Sequence, residues 1–328
     1  MSSRNSDGET LSTLVDVVLR VAQMHGSTVA LSDLMQLVPH GMTTDQVSNA
    51  FEVSPDLSER YTLKDGFVVS RSGPHPPLDE YARRHEHSTI NVRTARWFTA
   101  RLGKGEAQMI AVSGSTSYKA ASWKDDVDLF CITRAEKMWL FLAKALLLAR
   151  VSQISGRSKV PTCLSCVMDD RHARSLFSAD RGALFARDAL IAQVILGDGE
   201  YESLLATAPW MGKYFPKLYE ARRSSRSPLA TRAPPSTWDR FVNLFLFATL
   251  GSYIATKTGL HNRFLARRGK EQAIFHTRAG TDHLIYESAR YVQLRNIYGS
   301  LRPAPESHIR QSTGGELVSL VPDEREAR

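Results

Sequence analysis

The chain has 328 residues, long for one domain and comfortable for two or three, and its 42% hydrophobic and 23% charged residues are those of an ordinary soluble globular protein. A formal net charge of +8 points to an anionic partner: a nucleotide, a nucleic acid or an acidic protein surface. Three cysteines exclude a disulfide framework, the N-terminus lacks a secretory pattern, and no apolar run reaches the length of a membrane span, so a cytoplasmic protein is expected.

In chain order, residues 1–75 read as a winged-helix-like domain. An amphipathic helix over 11–24 stops at Gly26, a short one covers 31–37, and Thr43 or Thr44 caps a third over 45–51. Residues 60–71 alternate around Asp65-Gly66, a hairpin signal. The third helix offers Gln46 and Asn49 but no Arg or Lys between Thr43 and Phe51, which argues against DNA as its partner. Ser72 to Pro77 is a linker, and residues 76–105 form a charged connecting helix.

Residues 106–220 read as the next domain. Strands are expected over 109–113, 127–133 and 162–170, with a well-buried helix over 137–150 and a basic loop over 157–160. Helices are expected over 174–197 and 201–219. A mobile Arg-, Ser- and Pro-rich linker over 221–236 opens a helical C-terminal region, 221–300, in which 241–256 is a buried helix; the tail 301–328 is expected to be disordered. Cys163-Leu-Ser-Cys166 lacks the second ligand pair of a zinc site and reads as buried thiols.

The chemistry concentrates between residues 109 and 133, where an apolar strand, Gly114-Ser115 and a second strand opening on Asp126-Val-Asp128 follow one another. In a strand the two carboxylates share a face about 7 Å apart. Such a pair calls for a cation, and Mg²⁺ there suits phosphoryl or nucleotidyl transfer. Gly114 lets phosphates approach the backbone, and the Ser115 hydroxyl donates to one of them. Asp125 points away from the pair by alternation. Lys119, Lys124 and Lys159 are candidate phosphate neighbours.

The run from Val112 to Ile132 resembles the signature of the DNA polymerase β-like nucleotidyltransferase superfamily, and residues 10–215 are similar to prokaryotic proteins that place a winged-helix-like region before that domain. The resemblance implies an α+β fold: a small mixed β-sheet core with helices, and transfer of a nucleoside monophosphate from an NTP, ATP included. The acceptor is a hydroxyl-bearing small molecule, RNA or protein. Gly114 and Ser115 would take the nucleotide phosphates, and Asp126, Asp128 and a third carboxylate would take Mg²⁺, or Mn²⁺ in its place. Asp169 and Asp170 end the third strand on opposite faces. Asp169, on the face of Ser165, is the expected metal ligand and catalytic base. The chain departs from the group after Trp139, where Leu-Phe-Leu-Ala precedes the basic Lys144. Two other readings remain open. One is a DNA-binding regulator with a non-catalytic, nucleotide-sensing domain. The other is a toxin-like transferase in which Arg222, Arg223, Arg226, Arg263, Arg267 and Arg268 hold a tRNA or an acidic protein.

Overall fold

The computed structural model describes residues 2–39, 42–71, 78–103, 105–155, 160–223, 235–269 and 274–303. The 72–77 linker, residues 157–159 with Lys159, most of the second linker with Arg226, and the tail from 304 lie outside the described residues.

The N-terminal module runs α1 (Ser2–Met24), β1 (Val29–Ala30), α2 (Leu31–Leu34), α3 (Thr44–Val53), α4 (Pro55–Ser58), β2 (Tyr61–Lys64) and β3 (Phe67–Ser70). Leu11, Leu14, Val15, Val18 and Val21 line the buried side of α1, the i, i+3, i+4 spacing of an amphipathic helix. Thr43 caps α3 by accepting from the Gln46 amide, while the Gln46 side chain accepts from the Thr43 amide at 2.9 Å. Asp65 and Gly66 both take positive φ (52° and 79°), the turn that matches the twist of an antiparallel pair. The three short strands form a sheet in the order β1-β3-β2.

The charged helix is α5 (Leu78–Leu102). Then follow β4 (Ala107–Val112), the single turn α6 (Gly114–Ser117), β5 (Val127–Thr133), α7 (Met138–Ile154), β6 (Thr162–Asp169), α8 (Asp170–Ser178), α9 (Gly182–Ile191) and β7 (Gln193–Leu196). Three helices, α10 (Asp198–Ala206), α11 (Met211–Tyr214) and α12 (Pro216–Arg222), lead to α13 (Thr237–Leu246), a π-helical turn at Phe247–Gly251 and α14 (Ser252–Arg267). The hairpin β8 (Phe275–Ala279) and β9 (His283–Ser288) and the helix α15 (Ala289–Tyr298) close the described chain.

One six-stranded mixed sheet, ordered β7-β4-β5-β6-β9-β8, organises this part of an α+β fold. Strands β5 and β6 are parallel, as the α7 crossover requires, and every other pair is antiparallel. Val112, Leu129, Cys131 and Val167 pack one face against Phe98 of α5 and Trp139 and Phe141 of α7. Met109, Ala111, Ile132 and Met168 face the other way, into a core continuous through α8–α12 to the apolar side of α1. The N-terminal module is therefore joined to the sheet by shared burial.

Four expectations need correction. Residues 193–196, expected to be helical, form β7, whose four residues are too few for alternation to mark them. The region 221–300 is not purely helical, because β8 and β9 belong to the main sheet. The edge strand β8 is largely exposed and so carries no apolar alternation. The segment 241–256 is not a buried helix: Phe241, Leu244, Phe245 and Tyr253 are exposed. Its buried seam is narrow and centres on Asn243, which accepts from the Trp139 amide and donates to the Thr281 carbonyl. In α7 only the first half is well buried, and Leu147, Val151 and Ile154 are exposed. No helix among the described residues is long and apolar enough to cross a membrane.

Candidate functional site

The site lies where β4 ends and β5 begins. Antiparallel pairing sets Val112 opposite Leu129, and the Ser113 amide donates to the Asp128 carbonyl at 2.9 Å. The chain then turns sharply at Gly114, whose φ is 60°. A Cβ at this residue would be strained in that conformation and would collide with the Asp128 carboxylate. Glycine is thus required twice over, and the backbone lies directly against the acidic side chain. The first amides of α6 have no intrahelical carbonyl to bind.

Helix α5 holds this turn from behind. Arg84, Ser88 and Asn91 fall at i, i+4 and i+7, on one side of the helix. Arg84 donates to the Ala120 carbonyl at 3.1 Å, Ser88 Oγ accepts from the Ala121 amide at 3.2 Å, and Asn91 donates to Thr116 Oγ1 at 3.0 Å. Tyr118, just past α6, donates to Asp188 of α9 and lies under the Arg187 guanidinium. The Asp188 carboxyl is pushed up to about 6, because it is buried; the Tyr118 hydrogen bond opposes that rise.

Asp126 immediately precedes β5 and Asp128 is its second residue. Burial raises Asp126 above the ordinary carboxylate range. Asp128 is pushed up to about 7, first by burial and then by the charge of Asp126. The Asp125 carboxylate accepts from both the amide and the hydroxyl of Ser122 at 2.9 Å, and its charge adds to the rise of Asp126 and Asp128. Lys119 pairs with Asp33 at 3.3 Å, and Lys124 lies over the exposed Trp123 ring. A cavity of about 640 Å³ between α1–α2 and α9 begins at residues 117–120, with His25, Asp33, Tyr81, Arg187 and Arg222 on its walls.

Gly114, Ser115, Asp126 and Asp128 therefore meet at one end of the sheet, and Asp169 does not join them. In the parallel β5/β6 pair Asp128 is level with Cys163, while Asp169 is level with Thr133, five residues further along β5. That separation is roughly 17–20 Å. Asp169 instead caps α8 by accepting from the His172 amide at 2.9 Å, and it is almost fully buried. The neighbouring Asp170 opens α8 and is equally remote from the pair. The expectation failed because it ignored direction: a strand–helix–strand crossover aligns the starts of the two strands, so the partner of Asp128 sits at the start of β6.

That partner is Cys163, whose expected role was no more than that of a buried thiol. Its thiol lies within hydrogen-bonding reach of both Asp126 and Asp128, with one proton to give to either, and ligand atoms of all three lie within 4.8 Å of one another. Burial, then the Asp128 charge, pushes the Cys163 thiol well above its usual range, so it is a neutral donor here. Ser165 adds a hydroxyl next to Asp128 and donates to the Leu129 carbonyl at 3.3 Å. Two hard carboxylates at a glycine turn fit an Mg²⁺ ion that completes its shell with water and phosphate oxygens, and a neutral thiol contributes little to it.

Comparison with protein-family models, with curated proteins and with solved structures finds no match for this chain.

Proposed function

We propose that the Gly114–Asp128 region is an Mg²⁺-dependent nucleoside triphosphate site of the DNA polymerase β-like kind, and that the protein transfers a nucleoside monophosphate to a hydroxyl-bearing acceptor. The observation that carries this reading is the contact between the Gly114 backbone and the Asp128 carboxylate, with Asp126 beside it. A phosphate brought to this turn meets the metal-binding carboxylates at once. The raised Asp126 and Asp128 carboxyls support it too, since buried neighbouring carboxylates lower their mutual cost when a cation joins them.

In this role Asp126 and Asp128 hold the ion, Gly114 keeps the approach open, and Ser115 donates to a phosphate oxygen. The ion would supply charge neutralisation at the phosphates and at the departing pyrophosphate. The acceptor hydroxyl gives its proton to water as its oxygen bonds to the α-phosphorus; the bond to the bridging oxygen breaks, and pyrophosphate leaves with that electron pair. Residues 1–75 are read as a winged-helix-like module. Its helix α3 is a poor DNA reader, because Gln46 is engaged in the helix cap and no Arg or Lys lies between Thr43 and Phe51.

One observation favours a second reading, a regulator that binds Mg·NTP without transferring it. On β6 the position beside Asp128 holds Cys163, so that strand provides no carboxylate to take the acceptor's proton. Mass spectrometry of reactions containing each NTP, Mg²⁺ and total cellular RNA or protein separates the two. Transfer predicts pyrophosphate release and an acceptor heavier by one nucleoside monophosphate. Mg·NTP binding with neither product selects the regulator.

A further inference from the structure

At the opposite end of β6 from the aspartate pair, three side chains converge that the nucleotide site does not use. His172 lies in the first turn of α8, Asp282 in the β8–β9 turn, and His283 opens β9. His172 Nδ1 is 3.2 Å from one Asp282 oxygen and His283 Nδ1 is 2.8 Å from the other. The two imidazoles stack with centroids 4.3 Å apart. One ligand atom from each of the three lies within 4.8 Å of the others. We propose that His172, Asp282 and His283 form a binding site for a divalent transition ion of the Zn²⁺ class, which ties the β8–β9 turn to α8.

The donor set selects the ion. Two imidazole nitrogens and one carboxylate oxygen suit zinc and its neighbours and do not suit Mg²⁺ or Ca²⁺. Spacing permits it: a tetrahedral ion with bonds of about 2.0–2.1 Å needs donors about 3.3 Å apart, and one ligand atom from each of the three residues already lies within 4.8 Å of the others. Three protein ligands would leave one position for water.

The backbone around the cluster is fixed before any ion arrives. The Asp169 amide donates to the Asp282 carbonyl at 2.8 Å, and the Gly280 amide donates to the His283 carbonyl at 2.8 Å. Trp139 Nε1 donates to the Gly280 carbonyl at 2.9 Å and Asn243 to the Thr281 carbonyl at 2.8 Å. One Asp282 oxygen faces the His172 ring nitrogen and the other faces that of His283, so the carboxylate is held between the two imidazoles. Side chains held this way need little reordering to take up an ion. All three remain partly accessible, so the ion has a way in.

The test is calorimetric titration of ZnCl₂ into metal-stripped full-length protein without a polyhistidine tag, followed by thermal denaturation and Co²⁺ substitution. We expect one ion per chain beyond any held by the Asp126–Asp128 pair, a Tm raised by several degrees at saturation, and for that ion a Co²⁺ spectrum without a thiolate charge-transfer band. His172→Gln, His283→Gln and Asp282→Asn should each weaken Zn²⁺ by at least about tenfold. Cys163→Ser combined with Asp128→Asn, which removes the thiol-bearing cluster at the other end, should leave the affinity unchanged. Three results would overturn the site: no saturable binding, Zn²⁺ affinity that survives all three substitutions in folded protein, or a thiolate band that disappears with Cys163.

Discussion

Asp126→Asn and Asp128→Asn each remove a charge that burial already disfavours, so they should leave the melting temperature near wild type. Mg²⁺-dependent nucleotide binding should fall below detection in both, as should any transfer. Near wild-type nucleotide affinity in both variants would remove the metal assignment. Gly114→Ala should do more damage. A left-handed non-glycine residue costs about 1–2 kcal/mol, and the new methyl group meets the Asp128 carboxylate. Loss of nucleotide affinity together with a lower Tm is expected, and unchanged affinity would mean that phosphates do not approach this turn. Asp169 gives the contrasting case. As the α8 cap, its replacement by alanine should cost about 1 kcal/mol of stability in urea unfolding and nothing in nucleotide affinity. If Asp169→Ala destroyed nucleotide use in a fully stable protein, the β5/β6 register would be wrong.

Among the elements, α5 is the one that positions the site. Asn91→Ala leaves the fully buried Thr116 hydroxyl without its donor, a loss of about 1–3 kcal/mol. Because Thr116 lies within α6, nucleotide Kd should rise along with the loss of stability. A double-mutant cycle between Asn91→Ala and Thr116→Ala should show clear non-additivity; simple additivity would mean the contact does not position the turn. The sequence made the strongly marked elements legible. A threonine cap at 43–44, the Asp65-Gly66 turn, the i, i+3, i+4 apolar side of α1 and the apolar β4 and β5 each follow from local chemistry that the fold leaves unchanged; Gln46, expected to face a base, closes the cap instead. Strands β7, β8 and β9 were not legible, because they are short or on the sheet edge and are defined by their partners. The aspartate pair and its glycine were readable because they are close in sequence. Cys163 was missed because its place is set by a crossover: α7 makes β5 and β6 parallel, a relation that the residues of β6 do not encode alone.

Across the whole molecule, the N-terminal module and the sheet meet around His25, which offers a pH test of that junction. Burial, reinforced by Arg290, Arg84 and Arg187 and opposed by Asp125, depresses this imidazole from 6.5 to about 4. Below pH 6.5 the unfolded chain therefore takes up a proton that the folded protein refuses. Stability present above pH 6.5 should be lost as the pH falls towards 4, by on the order of 3 kcal/mol. His25→Gln should flatten that part of the urea-unfolding profile; an unchanged pH dependence would show that the histidine is solvated. The proposed function depends above all on the proposed nucleotide site. The most direct measurement is calorimetric titration of the wild-type protein with each of the four nucleoside triphosphates, with and without Mg²⁺, beside the Asp126→Asn Asp128→Asn double variant. At least one triphosphate should bind wild type only when Mg²⁺ is present, and none should bind the double variant. Absence of binding by all four, or binding that persists without Mg²⁺ or without the two carboxylates, would contradict the account.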